Sequence, residues 1–141
     1  MKLKNLVRFV LIVFGIAFLP IITLAGDDLK VSDGCLAPIE KISFEDLKKL
    51  ISEKKVVLLD CNGTESYTKG HIPSALNAKA EGVEKKLPAD KKALIVSYCG
   101  SEKCTAWQDG AAKLSKLGYT NIKHFEGGLK GWQAAGGELE K

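Results

Sequence analysis

The apolar residues of this chain fall into short unbroken runs, separated by stretches in which they recur every three or four positions. Val56-Val57-Leu58-Leu59 is one such run and ends at Asp60. Leu94-Ile95-Val96, continued by Ser97-Tyr98, is a second and ends at Cys99. Ile122 to Phe125 is a third. Runs this short, apolar on successive positions, read as parallel strands buried on both faces. Between them the period changes. Phe44, Leu47, Leu50 and Ile51 share one helical face, so 44–53 is a helix, opened by Ser43 as N-cap with Asp46 reaching back. Ala106 to Leu117 is a second helix, with Gly118 as its C′ stop. A short last helix covers Leu129–Ala135, entered from Gly127-Gly128 and ended by Gly136-Gly137. Lys85-Lys86 and Lys91-Lys92 flank Pro88 in a polar stretch that reads as a solvated loop. Strands alternating with helices predict one layered α/β domain, and no internal repeat is visible.

The first residues follow a different rule. Lys2, Lys4 and Arg8 precede an apolar run from Phe9 to Leu24, and Thr23-Leu24-Ala25 offers small residues before polar Gly26-Asp27-Asp28. That order predicts a secretory signal peptide over 1–25, cut after Ala25. The alternative is an uncleaved anchor, but the run is short of the about 20 residues a span needs, and Pro20 interrupts it. Residues 26–38 read as a polar tether, and 39–141 as the domain. The expected location is exported, hence periplasmic in a bacterium, with no membrane attachment after cleavage. Cleavage takes the net charge from +4 to +1, which offers no electrostatic footprint for nucleic acid. Arg8 is the only arginine, so the mature chain has none.

Four cysteines remain: Cys35, Cys61, Cys99 and Cys104. In an oxidising compartment paired cysteines default to disulfides. A 116-residue mature chain this apolar can bury a core without staples, so reactive cysteines compete with that default. Ligands of open parallel sheets sit beyond the carboxyl ends of the strands, where Asp60, Cys61 and Cys99 fall. The turn Gly100-Ser101-Glu102-Lys103-Cys104-Thr105 can aim several backbone N–H groups at one point. The helix beginning near Thr105 adds its positive end, and Lys103 adds a cation. These features predict a lowered pKa for Cys99. A thiolate in a nest of N–H donors suits sulfur transfer and needs no metal, cofactor or general base. A buried cysteine acting only as a small hydrophobe is the competing reading.

The motifs around these positions resemble the rhodanese family. Leu59-Asp60, Tyr67, Gly70-His71-Ile72-Pro73, Ala75 and Asn77 look like its first motif. Val96-Ser97-Tyr98-Cys99 looks like its catalytic strand end. Leu117-Gly118-Tyr119-Thr120-Asn121-Ile122, Glu126-Gly127-Gly128 and Trp132 look like its closing motif. The resemblance implies a rhodanese-like α/β fold with a five-stranded, mainly parallel sheet flanked by helices. It implies that Cys99 is the sulfur-carrying nucleophile, that residues 100–104 cradle it, and that Asp60 supports the site through hydrogen bonds. His71 is expected to make a structural hydrogen bond in its turn, and His124 and Trp132 to pack. Trp107 either packs under its helix or lines the pocket.

This chain departs from the family pattern in two places. Asn62 and Ser66 stand where an Arg and a Glu are common, so both members of an ion pair are gone together. Cys104 stands where a loop Arg is common, which removes a cation suited to thiosulfate and supplies a second thiol. Expected donors are therefore thiosulfate, a persulfide or a polysulfide. Expected acceptors are a thiol or cyanide, including a protein sulfur carrier. Two further readings compete. One is a thiol–disulfide redox protein using Cys99 and Cys104, with Cys61 as a rival resolving thiol and Cys35 pairing with nothing or with another chain. The other is a catalytically silent module that binds a persulfide or a partner. A related phosphatase activity is disfavoured, because the Arg it needs six positions after the cysteine is replaced by Thr105.

Overall fold

The computed structural model describes residues 38–141. The expected signal segment, most of the tether and Cys35 lie outside the described residues. Ten short elements follow in order. Strand β1 (Glu40–Lys41) leads to helix α1 (Phe44–Ser52), and strand β2 (Val57–Asp60) to helix α2 (Thr64–Lys69). Strand β3 (Leu76–Asn77) and a 3₁₀ turn (Val83–Lys86) come before strand β4 (Ile95–Tyr98). Helix α3 (Ala106–Lys116), strand β5 (Ile122–His124) and helix α4 (Gly128–Ala134) complete the chain. The five strands form one sheet in the order β1-β5-β4-β2-β3, and every strand pair is parallel. Among the described residues, no helix is long and apolar enough to cross a membrane.

Local chemistry explains the element boundaries. The Asp46 amide donates to Ser43 Oγ at 3.1 Å, and that hydroxyl donates to the Asp46 carboxylate at 2.8 Å. The cap therefore closes through the side chains of both residues. Gly118 ends α3 at φ +88°, a conformation that favours glycine. The segment read as a solvated loop carries more structure than expected. Val83 is buried in its 3₁₀ turn, and Tyr119 donates to the Pro88 carbonyl at 2.6 Å while Lys91 sits 4.0 Å from the Tyr119 ring centre.

Alternation along the strands divides the core in two. Leu58, Val96 and Tyr98 face α1 and α4, joined by Leu47, Phe125 and Trp132. Leu59, Cys61, Ile95 and Cys99 face the other way, joined by Leu114 and Tyr119. The topology also fixes where a site belongs. After β2 the chain steps outward to β3, then returns to β4 and continues to β5 on the opposite side. The ends of β2 and β4 therefore flank the switch point of the sheet, the position where such folds hold ligands.

A C-terminal strap closes the molecule. The backbones of His71 and Glu140 exchange two hydrogen bonds of 2.9 Å, and the Glu140 carboxylate accepts from the Ser74 amide at 2.8 Å. Trp132 Nε1 donates to the Glu138 carbonyl at 2.8 Å.

Helix α3 approaches the sheet closely at Gly110. A Cβ there would lie 2.4 Å from Cys61 Sγ. Gly110→Ala is therefore expected to destabilise the fold by about 1–3 kcal/mol through overpacking. Adding Cys61→Ala in the same chain should recover most of that loss. Denaturant titration of the single and double variants checks both statements.

Candidate active site

The site starts from register. Asp60 pairs with Tyr98 across the β2–β4 ladder, and the Cys61 amide continues it by donating to the Tyr98 carbonyl at 2.8 Å. Cys61 and Cys99 thus follow one step beyond, side by side on the α3 face. Asp60 and Tyr98 point to the opposite face.

Asp60 is fully buried and its carboxylate is occupied. Oδ1 accepts from the Asn62 amide at 2.8 Å and from Asn62 Nδ2 at 2.7 Å, and Oδ2 accepts from the Tyr98 hydroxyl at 2.8 Å. The Ile72 amide donates to that same hydroxyl at 3.1 Å. One carboxylate thereby joins two strand ends to the Gly70-His71-Ile72-Pro73 turn. Burial and the adjoining carboxylate push the Tyr98 hydroxyl well above its ordinary range, so it stays a neutral donor. The geometry gives Asp60 a supporting place, and Asn62 supplies both donors to its Oδ1.

His71 belongs to the same frame. Its Nδ1 lies 3.0 Å from the Tyr67 carbonyl, and its ring stacks on Tyr67 at 3.8 Å. Trp107 stacks on His124 at 3.7 Å, and burial lowers the pKa of that histidine. Trp132 packs on Phe44 and Phe125.

The cysteine loop combines a polar cradle with a dry setting. Cys99 is 1% exposed, whereas Cys104 is half-buried. The Cys104 amide donates to the Ser101 carbonyl at 3.0 Å, which curls the loop back on itself. The Cys99 S–H points to the Ser101 carbonyl at 4.0 Å. Backbone N–H groups of the loop and of the first turn of α3 favour the ionised form of both sulfurs. Glu102, Lys103 and Thr105 are exposed, and neither Glu102 nor Lys103 joins an ion pair among the described residues. The Thr105 side chain makes no cap hydrogen bond, although Thr105 is the N-cap of α3.

The expectation of an acidified Cys99 is overturned. Burial, followed by a hydrogen bond with Cys104, pushes its pKa up to about 11. The loop had suggested a thiolate, but desolvation outweighs its N–H donors. Cys104 is the acidified partner. Partial burial works against its ionisation, yet the Cys99 S–H and the Gly100 and Ala106 amides stabilise the anion and lower its pKa. The two ionisations are linked, and Cys104 is the thiol that gives up its proton more readily. Cys61 stands apart. Burial, then the nearby Asp60 charge, raises it to about 12, and its thiol faces the Leu59 carbonyl at 3.7 Å. A cleft of about 420 Å³ runs along α3 past Cys61, Lys79, Asp109 and Lys113. Cys99 does not line it.

Gly128 is the residue whose role the sequence reading did not see. It stands at φ +58°, and a Cβ there would lie 2.4 Å from the Cys99 carbonyl and 2.8 Å from the Ser101 amide nitrogen. This contact lets the Leu129 and Lys130 amides donate to the Cys99 and Gly100 carbonyls at 2.8 and 3.1 Å. The start of α4 thus holds the loop from below. The glycine pair was visible in the sequence as a turn, but the partner across the fold was not.

Residues 43–135 match the sequence model of the rhodanese-like domain. The chain belongs to the rhodanese-like domain family. The thiosulfate sulfurtransferase GlpE of Pseudoalteromonas translucida is 29% identical over 97 residues, covering 67% of this chain and 89% of that protein. An adenylyltransferase and sulfurtransferase of Candida albicans is 29% identical over 104 residues, covering 65% of this chain. The chain spans only 23% of that longer protein. Among solved structures, the BH2092 protein of Bacillus halodurans aligns with a TM-score of 0.61 at 25% identity, covering 72% of this chain and 76% of that one. A rhodanese-related protein of Thermoplasma volcanium aligns at 0.56 and 23% identity, covering 72% and 97%. The rhodanese-like fold and its five-stranded parallel sheet agree with the reading of the sequence.

Two predictions follow for this rhodanese domain. Gly128→Ala is expected to cost about 2–4 kcal/mol, because it meets both a left-handed backbone angle that disfavours alanine and a backbone clash. Gly131→Ala, which meets nothing within 4 Å, should be neutral or stabilise by up to about 1 kcal/mol. Denaturant titration separates the two. In alkylation at neutral pH, Cys104 should react before Cys99, and Cys99→Ala should slow Cys104 several-fold by removing the S–H that stabilises its anion. Mass-mapped iodoacetamide kinetics against pH check this.

Proposed function

We propose that this domain is a sulfurtransferase that carries sulfane sulfur as a persulfide on Cys99. The observation that carries the reading is the placement of Cys99 one residue past the central strand, at the switch point, in the turn that opens α3. In the forward step Cys99 Sγ attacks the outer sulfur of the donor, and its proton passes to Cys104. The donor's S–S bond breaks, and its remainder leaves with the bonding electrons. The persulfide anion then rests against the N–H groups, which favour negative charge without a cation. An acceptor thiol or cyanide takes the outer sulfur and returns Cys99 to its starting state.

The missing loop arginine bears on the donor. A doubly charged donor such as thiosulfate benefits from a fixed cation, and Lys103, the loop's cation, is exposed and unpaired by any carboxylate among the described residues. A persulfide or polysulfide, with less charge to neutralise, suits this cradle better. The physiological acceptor in this proposal is a thiol, on a small molecule or on a sulfur-carrier protein. The N-terminal residues 1–25 supply the export signal in this reading, which puts the domain in the periplasm of a bacterium.

Cys99→Ser should lower sulfur transfer from thiosulfate or a persulfide to cyanide by at least about a hundredfold, because no other group takes over the nucleophile's part. Thiocyanate formation measures it. Unchanged turnover in the variant would remove the basis for the proposal.

A further inference from the structure

We infer that Cys104 resolves the persulfide on Cys99, releasing sulfide and closing a Cys99–Cys104 disulfide. The inference rests on the reading of Cys99 as the sulfur carrier and adds a second activity to it, persulfide reduction.

Three features of the loop lead there. First, the turn closed by the Cys104 amide and the Ser101 carbonyl brings residue 104 back toward residue 99, and both pack in the same apolar cluster. Second, the Cys99 S–H is directed at the Ser101 carbonyl at 4.0 Å, the same carbonyl that accepts from the Cys104 amide, so both cysteines are gathered around one peptide group. The atom that Cys104 has to reach is Cys99 Sγ, which becomes the inner sulfur of a persulfide. Third, Cys104 is the more exposed and the more readily ionised of the two thiols, as the attacking sulfur of the pair has to be. Cys61 does not compete. It is buried beneath Gly110, and its thiol is turned to the Leu59 carbonyl.

The step balances within the protein. The Cys104 thiolate attacks Cys99 Sγ, and a new S–S bond forms between the two residues. The bond from Cys99 Sγ to the outer sulfur breaks, and that sulfur leaves as HS⁻ with the bonding pair and the proton that Cys104 took up in loading and sheds to become the thiolate. The outer sulfur is reduced to sulfide while the two cysteines are oxidised to the disulfide, so no other oxidant is consumed. A further turnover needs a dithiol reductant, such as a protein dithiol, which reopens the bridge by exchange. Half-buried Cys104 is the sulfur such a reductant can reach, since Cys99 is 1% exposed.

The experiment uses the reduced, purified protein and its Cys104→Ser variant, freed of small thiols and treated with a thiosulfonate. That donor releases a sulfinate on loading, so sulfide can arise only from the second step. Wild type should release about one sulfide per chain and become two hydrogens lighter, with peptide mapping joining Cys99 to Cys104. Cys104→Ser, once loaded, should hold one extra sulfur on Cys99 and release about tenfold less sulfide. If wild type keeps a stable persulfide on Cys99, or bridges through Cys61, or if the variant yields as much sulfide, the inference is wrong while the sulfurtransferase stands. If no sulfur reaches either protein and no sulfinate appears, both readings fall.

Discussion

The hydrogen bond between the Asp60 carboxylate and the Tyr98 hydroxyl is the contact on which the rest of the site depends. It is fully buried, and among the described residues no cation pairs with Asp60. A carboxylate in that position is tolerable only while its donors are in place. Asn62 supplies two and Tyr98 the third, and Tyr98 in turn takes up the Ile72 amide. Losing any one of these leaves a buried polar group unpaired, which typically costs about 1–3 kcal/mol. The network therefore fixes the relative height of the two central strands. Strand alternation then delivers Cys61 and Cys99 together to the other face. Orientation of the cysteine loop is inherited from a frame on the opposite side of the sheet.

Two opposing demands meet at Cys99. In the proposed reaction a sulfur-carrying thiol has to be shielded from water and bulk thiols, and a nucleophile has to ionise. The fold satisfies the first by burial and raises the thiol's pKa in doing so. The second falls to the neighbour, because Cys104 ionises more readily than Cys99. In the proposed reaction a neighbouring thiol stands where the family commonly has a fixed cation, and that neighbour is chemically able to react with a persulfide on Cys99.

Much of this was legible from residue order. The runs ending at Asp60 and Cys99 named the two central strands, and Ser43, Gly118 and Gly136 named helix boundaries. What escaped did so for physical reasons. Strands β1 and β3 have two residues each, too few for any pattern. Helix α2 buries none of its six residues and so shows no apolar period. The pKa of Cys99 was misjudged because local donors can be read from a loop, whereas desolvation depends on packing from across the sheet. Gly128 looked like turn punctuation, since nothing in its neighbourhood reveals that the Cys99 carbonyl comes within reach.

The strap formed by residues 137–140 has a practical corollary for anyone handling this domain. The family match stops at residue 135, so a version trimmed to that boundary would look complete by sequence. It would nevertheless lose the carbonyl that Trp132 Nε1 donates to and the backbone partner of His71. Gly137 lies flat against the Trp132 ring, and Leu139 covers Gly70, so the trimmed edge would open a greasy seam beside the turn that Tyr98 helps hold. Any shortened version should therefore keep residues 136–141 in place.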